Sequence, residues 1–213
     1  MMKKLSKLSA LIMVMILAFS LVGCGDNSDE VLGTWETSFD LSEAMLDGTG
    51  DDYADFNAQF VVNMRMQFSE GGTYRMYLEE ESTKANFEQW LDALVDYETE
   101  MVYAAYEEQG FSRAEVDEQA QQQYGSSLRD YIMEDRQDVF DIDGFIAEID
   151  TSGVYQAKGN KLYLGEEEIS PNTYDLYTLE GDTLTLDAAT EEIAAEAALV
   201  PGFEYPYVFK KVD

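Results

Sequence analysis

The amino-acid sequence predicts an α+β fold: an antiparallel β-meander of about eight strands, forming a barrel or partial barrel, with a helical insertion. Two patterns predict the meander. Apolar and polar residues alternate in short segments in both halves of the chain, as they do in strands with one buried face. Glycine-containing pairs separate these segments and favour tight hairpin turns. Between residues 85 and 149 the apolar residues recur at helical spacing, which predicts the insertion.

The strands before the insertion have the clearest pattern. Residues 33–39 alternate and predict the first strand, which a short helix follows. Residues 60–69 alternate over ten positions, so one face of this strand lies in a core and the other faces water. After a Gly-Gly pair, residues 74–78 rebuild the apolar face on a return strand.

Three helices are predicted within the insertion. The first begins near residue 85 and ends at Gly110, since glycine is common just after a helix. Ser112 and Glu115 have the spacing of a capping box, which predicts the start of the second helix. The third begins at a Ser-Ser pair and extends towards Ile149.

Two further hairpins follow the insertion. Their turns are predicted at Gly159-Asn160 and Gly181-Asp182, which lie between alternating segments. Pro206 has no N–H to donate, so we expect the last strand to be unpaired at that residue. The predicted elements are strands at 154–158, 161–164, 174–179, 183–186 and 205–209, and a short helix at 188–198.

The N-terminus predicts a lipoprotein signal peptide over residues 1–23. Three lysines precede an apolar run that is too short for a transmembrane helix, and the run ends in Leu-Val-Gly-Cys, which resembles a bacterial lipobox. In such proteins the cysteine, here Cys24, receives a diacylglyceryl group and becomes the first mature residue. Residues 24–31 then predict a short tether. The remaining domain, 32–213, is expected at the extracytoplasmic face of the cell membrane, with the lipid as its anchor.

Composition excludes several classes of function. The formal net charge is -31, and removal of the three signal-peptide lysines takes it to -34. Nucleic acid is therefore not an expected partner, because phosphate binding needs clustered Lys and Arg. The chain has no histidine and a single cysteine, so Ser-His-Asp and Cys-His catalysis are excluded and an enzyme is not expected. A carboxylate pair, a Ser-Lys pair or an all-oxygen metal site remain as catalytic chemistries.

Two acidic segments are candidate calcium ligands. Asp141, Asp143 and Asp150 fit positions three, five and twelve of an EF-hand loop, and Gly144 fits position six. Val139 stands at position one and offers no side-chain oxygen, so an acidic turn between helix and strand is the alternative. The second segment contains Asp47, Asp51, Asp52 and Asp55. For this segment, a solvated loop is the alternative to a calcium site.

Two sets of aromatic and apolar residues have both a functional and a structural interpretation. The apolar face of the first hairpin predicts either the lining of a cavity for an apolar ligand or the barrel core. The tyrosines of the insertion predict either a recognition surface for carbohydrate or peptide, or partial burial against the sheet. The two sets are Met64, Met66, Phe68, Tyr74, Met76 and Leu78, and Tyr97, Tyr103, Tyr106 and Tyr124.

The strand segments resemble lipocalin-like bacterial surface lipoproteins. The resemblance rests on Gly33-Thr34-Trp35 in the first strand, the meander of hairpins and the final Phe-Lys-Lys, and it covers residues 31–80 and 152–213. It implies that Trp35 packs at the closed floor of a barrel and that Lys210 or Lys211 lies across it. The helical block of some 65 residues in mid-barrel is a departure from the family.

These observations predict a non-catalytic binding module. The expected ligand is a small apolar molecule, and a protein or cell-wall partner is the second expectation. The alternatives are a structural envelope component, an accessory subunit of a surface complex, and a hydrolase that works without histidine. No cofactor is expected beyond the candidate calcium ion.

Overall fold

A computed structural model describes residues 26–46 and 53–212, and within these ranges it contains eight β-strands and six α-helices. The strands are β1 (Gly33–Asp40), β2 (Val61–Ser69), β3 (Thr73–Leu78), β4 (Thr151–Lys158), β5 (Lys161–Gly165), β6 (Asp175–Glu180), β7 (Thr183–Asp187) and β8 (Tyr207–Lys211). The helices are α1 (Ser42–Leu46), α2 (Glu80–Glu107), α3 (Arg113–Tyr124), α4 (Leu128–Val139), α5 (Ile142–Ile149) and α6 (Glu191–Ala197). The predicted signal peptide, Cys24 and the acidic residues Asp47, Asp51 and Asp52 lie outside the described residues.

The strands form a closed antiparallel barrel in sequence order, from β1 to β8. Each strand pairs with its neighbour in the chain, and β8 pairs with β1 through Trp35–Lys211 and Glu36–Lys210. The predicted meander of eight strands is therefore confirmed, and it is a full barrel. The last strand begins at Tyr207 instead of residue 205, because Pro206 provides no N–H for the ladder.

The inward side of the barrel follows from the pairing, since directly paired residues share one face. Trp35 pairs with Met66, which pairs with Met76, and both methionines are buried. The same alternation continues around the barrel, and almost all of the inward side chains are apolar. The buried inward residues include Phe39, Met64, Phe68, Leu78, Tyr155, Ala157, Leu162, Leu164, Leu184, Leu186 and Phe209. The apolar face of the first hairpin thus lines the barrel interior.

One end of the barrel, the floor, is closed around Trp35. Its indole is 1% exposed, and its Nε1 donates a hydrogen bond to the Val31 carbonyl at 2.7 Å. The ammonium of Lys211 lies 5.1 Å from the centre of the indole and donates to the Leu32 carbonyl at 2.7 Å. Lys210 turns away and donates to Thr183 Oγ1. Of the two lysines that the sequence left open, Lys211 is the one that lies across the tryptophan.

The residues directly before β1 are part of the domain. The sequence assigned residues 24–31 to a tether, but Asp26 forms a β-bridge with Lys158, and the Asn27 N–H donates to the Ala157 carbonyl at 2.8 Å. Residues Ser28–Val31 then form a turn of 3-10 helix that buries Val31 beneath the barrel. The apolar Val31 and the backbone pairing with β4 explain why this polar segment is packed.

The helical insertion spans residues 80–149, between β3 and β4. It begins earlier than expected because the Glu79 side chain accepts the Ser82 N–H and caps α2. The predicted third helix is divided in two. Phe140 has an extended backbone, and Asp141 starts α5 by accepting the Gly144 N–H at 2.8 Å. No helix in residues 26–46 and 53–212 is long and apolar enough to cross a membrane.

The insertion and the barrel share one apolar core. Helix α2 packs against β2, and α5 packs against β3. Phe60, at the start of β2, contacts Phe87 and Trp90 of α2, with ring centres 5.7 and 6.1 Å apart. These rings belong to the same buried cluster as Trp35, so the helices cover the end of the barrel opposite the floor, which we call the mouth.

We expect Trp35→Ala to lower the free energy of unfolding by about 3–5 kcal/mol, because it removes a large, fully buried aromatic side chain. Urea unfolding followed by circular dichroism measures the change. Leu199→Ala is the control, since this side chain is 75% exposed and its truncation should have little effect. An unchanged midpoint for Trp35→Ala would contradict the packing of the floor.

Candidate functional site

A carboxyl group is buried at the mouth of the barrel. Asp175 is the first residue of β6, and its pairing with Leu162 places its side chain on the inward face. The residue is 8% exposed, and the Tyr205 hydroxyl donates a hydrogen bond to its Oδ1 at 2.9 Å. The ring of Tyr205 packs on that of Tyr207, with centres 4.2 Å apart. Two phenol groups therefore flank one carboxyl group.

The electrostatics of this group are unusual for an aspartate. Burial raises the pKa of Asp175 to about 7, and the hydrogen bond from Tyr205 opposes the rise. Burial, and secondly the charge of Asp175, raise the pKa of Tyr207, so this hydroxyl lies within electrostatic reach of the carboxylate. In the described part of the chain, no Lys or Arg forms an ion pair with Asp175.

Other polar atoms inside the barrel lack hydrogen-bond partners among the described residues. They include Tyr74 Oη, Thr151 Oγ1 and Tyr207 Oη, and these three atoms are fully buried. Tyr74 faces Gly153, where a Cβ atom would lie 2.0 Å from the Gly165 carbonyl oxygen and 2.9 Å from the tyrosine ring, so glycine accommodates both the neighbouring strand and the phenol. Burial raises the pKa of Tyr74 to about 12, which keeps the hydroxyl protonated at neutral pH.

The sequence offered a weak signal for this site. In the alternation of β6, Asp175 shares a face with Tyr177 and Leu179, and a carboxyl group on an apolar face is exceptional. From the sequence, that alternation predicts only the strand. Tyr205 and Tyr207 stand at alternate positions of the predicted last strand, and their position beside Asp175 depends on closure of the barrel.

The candidate calcium ligands have separate partners in the structure. Asp141 caps α5, Asp143 forms an ion pair with Lys84 at 2.7 Å, and Asp150 binds Arg75 through two hydrogen bonds of 2.7 and 2.6 Å. Within residues 26–46 and 53–212, no three Asp or Glu side chains are grouped to hold a metal ion. Calcium binding therefore stays a prediction from the sequence.

The first two of these carboxylates line an open groove at the junction of α4 and α5. Its volume is about 680 Å³, and residues 137–145 and 148 line it. The lining combines acidic side chains with the aromatic rings of Phe140 and Phe145, which also pack in the core. Asp150 is not part of the lining.

A second buried charge has a structural role. Glu98 of α2 is 8% exposed and accepts two hydrogen bonds from Arg136 Nε of α4, at 2.8 and 3.0 Å. The Tyr53 hydroxyl also donates to Glu98. Because the pair is matched in charge and bonded at both oxygens, it joins two helices and leaves little capacity for a ligand.

Each of the four tyrosines of the insertion has a local partner. Tyr103 donates a hydrogen bond of 2.9 Å to Asp117, and the other three pack against aromatic rings. These contacts do not test the recognition surface, which stays a prediction from the sequence. The ring partners are Phe56 for Tyr97, Phe111 for Tyr106 and Tyr131 for Tyr124.

In comparisons with protein-family models, curated proteins and solved structures, nothing matches this chain. The interpretation of the site therefore depends on the chemistry of its own residues.

We expect the stability of the protein to depend on pH through Asp175. Its pKa is about 7 in the folded state and near 3.8 when unfolded, so between these values the folded state holds the extra proton. This contribution is fully present below about pH 4 and is lost as pH rises through 7. We expect the free energy of unfolding, measured with urea, to fall between pH 5 and pH 8. The fall should be smaller for Asp175→Asn than for the wild type.

Asp187→Asn is the control for this measurement, because Asp187 is an exposed carboxylate at the same end of the barrel. It removes the same formal charge without changing a buried group. Equal pH profiles for Asp175→Asn and the wild type would show that the carboxyl group of Asp175 is solvated.

Proposed function

We propose that this chain is a lipid-anchored, extracytoplasmic lipoprotein whose lipocalin-like barrel binds a small, mostly apolar molecule without catalysis. The closed meander, together with the contact between Lys211 and Trp35 at the floor, supports the lipocalin-like assignment. The lipobox that ends in Cys24 supports the anchor.

The buried, unpartnered hydroxyls of the barrel interior are the observation that carries the binding proposal. A packed structural core rarely contains such groups, because each one loses its hydrogen bonds to water and gains none in return. Three of them lie among the inward methionine and aromatic side chains: Tyr74, Thr151 and Tyr207. A mostly apolar ligand with a polar end would satisfy them, and Met side chains adapt readily to such a guest.

A protein partner is the second candidate function. Met101, Phe111 and Tyr124 of the helical insertion are large apolar side chains with more than a third of their surface exposed. Contiguous exposed apolar groups are typical of protein interfaces, so a partner would dock where these side chains lie together. Removal of these side chains should leave small-molecule binding unchanged if the barrel interior is the ligand site.

Two tyrosines provide a matched test of ligand binding. Tyr207 and Tyr163 both have a buried, unpartnered hydroxyl, but Tyr163 pairs with Gln156 and faces the outside of the barrel. Titration with a neutral apolar dye, N-phenyl-1-naphthylamine, should give saturable binding at one site, and competing ligands should displace the dye. Ligands with a polar end should bind more weakly to Tyr207→Phe than to the wild type. Their affinity for Tyr163→Phe should equal that of the wild type.

Both Phe variants should be at least as stable as the wild type, because each loses an unsatisfied hydroxyl. Thermal melting checks this expectation. If the dye does not saturate on the wild type at any concentration, the barrel is a packed core and the binding proposal is wrong.

We expect Cys24→Ala to abolish lipid attachment, because this is the cysteine of the lipobox and the chain has no other. Metabolic labelling with a fatty-acid analogue, followed by membrane fractionation, measures the change. Ser126→Ala serves as a control substitution away from the signal peptide. Label retained on Cys24→Ala would exclude this anchor.

A further inference from the structure

We propose that the polar end of the bound molecule is a protonated amine, which donates hydrogen bonds to the carboxylate of Asp175 and to the hydroxyl of Tyr207. This inference rests on the proposed binding function and names the chemical class of the ligand.

Both groups lie at the same end of the barrel. The last residue of β8, Lys211, pairs with Trp35 at the floor, so its first residue, Tyr207, is at the mouth. Strands β6 and β8 run parallel to each other, because each is antiparallel to β7, and Asp175 is the first residue of β6. A ligand with its head between these residues would place its apolar chain towards the methionines of the interior.

The carboxylate selects for a positive charge. Asp175 lacks an ion-pair partner among the described residues, and a buried carboxylate without one is strongly disfavoured. The negative charges of Asp175 and Asp187 would repel an anion. Asp187 lies at the same end of the barrel, and its charge contributes to the raised pKa of Tyr205. The whole chain adds to this preference, since its formal charge is -31.

The hydroxyls select for an organic ammonium ion over a metal ion. Calcium takes six to eight oxygen ligands, usually from several carboxylates and carbonyls, whereas this site has one carboxylate. Tyr205 already donates its hydrogen to Asp175, and Tyr207 Oη lacks a described partner and can accept a hydrogen. The rings of the two tyrosines also attract a cation. A quaternary ammonium ion would lose the hydrogen bonds, because it has no N–H.

The segment after α6 packs at the mouth of the barrel. Phe203 is buried and stacks on Phe39 with ring centres 4.5 Å apart, and Tyr207 lies 5.5 Å from the Phe39 ring at an edge-on angle. These rings pack together at the mouth, next to the segment that brings Tyr205 to Asp175. An amine that enters here is desolvated together with Asp175, which strengthens their attraction.

Four probes of equal chain length test the inference: octylamine, octyltrimethylammonium, 1-octanol and octanoate. Displacement of the apolar dye from the intact chain without its lipid (residues 26–213) measures each affinity at pH 8. We expect octylamine to bind at least about tenfold more tightly than 1-octanol, because it adds a hydrogen bond between charged groups. Octanoate should bind more weakly than 1-octanol.

Asp175→Asn should remove the preference for octylamine over 1-octanol. Asp187→Asn, which has the same change in charge, should keep the preference. Thermal melting of both variants checks that they are folded. The preference of the wild type should also be smaller at pH 6 than at pH 8, because burial raises the pKa of Asp175 to about 7 and protonation removes its charge.

The outcomes separate this inference from the proposed function. If 1-octanol and octylamine bind saturably with equal affinity, the barrel is a binding site but the inference that its ligand is an amine is wrong. Equal affinity for octylamine and octyltrimethylammonium would overturn the hydrogen bond to Tyr207. No saturable binding of any probe or of the dye would overturn the proposed function itself.

Discussion

The closure of the sheet at Trp35 and Lys211 is the contact on which the rest of the barrel depends. The pairing of β8 with β1 is short, and one of its two residue pairs joins Trp35 to Lys211. The indole fills the floor, its N–H satisfies the Val31 carbonyl, and the Lys211 ammonium satisfies the Leu32 carbonyl. Two otherwise unpaired backbone acceptors are thus bonded at the point where the sheet closes. Gly33 has a φ angle of 118°, so the chain can enter β1 beside this ring only with glycine at that position.

The barrel interior combines large apolar side chains with a few buried polar groups. A barrel of eight strands is just wide enough for side chains to fill, and here most inward side chains are large and apolar. A structural core of this kind gains nothing from a carboxyl group and several free hydroxyls, which cost free energy on burial. Their presence at inward positions is therefore best explained by a function that uses them.

Much of the fold was predictable from the sequence because it depends on local pattern. Strict alternation over residues 60–69 and the glycine-containing turns determined the strands and their order without any tertiary information. The division between α4 and α5 was not predictable, since the apolar spacing continues through Phe140 and only the backbone conformation interrupts it. The choice between Lys210 and Lys211 required the register of β8 against β1, which no local pattern encodes.

The site was predictable only in part, for the same reason. Cys24 follows from a linear motif, whereas Asp175, Tyr205 and Tyr207 meet through pairing between strands that are separated in the chain. The acidic candidates at 141–150 resembled a linear calcium motif, but three-dimensional folding gives Asp143 and Asp150 cationic partners from distant segments, Lys84 and Arg75. Spacing along the chain does not reveal such neutralising partners.

If Cys24 carries the lipid that we propose, the packing of Asp26 and Asn27 against β4 sets the direction of the barrel relative to the bilayer. Only Gly25 then separates the acylated position from Asp26 at the barrel floor, a span of about 7 Å when extended. The floor would then rest near the lipid headgroups, and the mouth, with its covering of helices, would face away from the membrane. A protein anchored in this way would sample molecules from its surroundings and not from the bilayer.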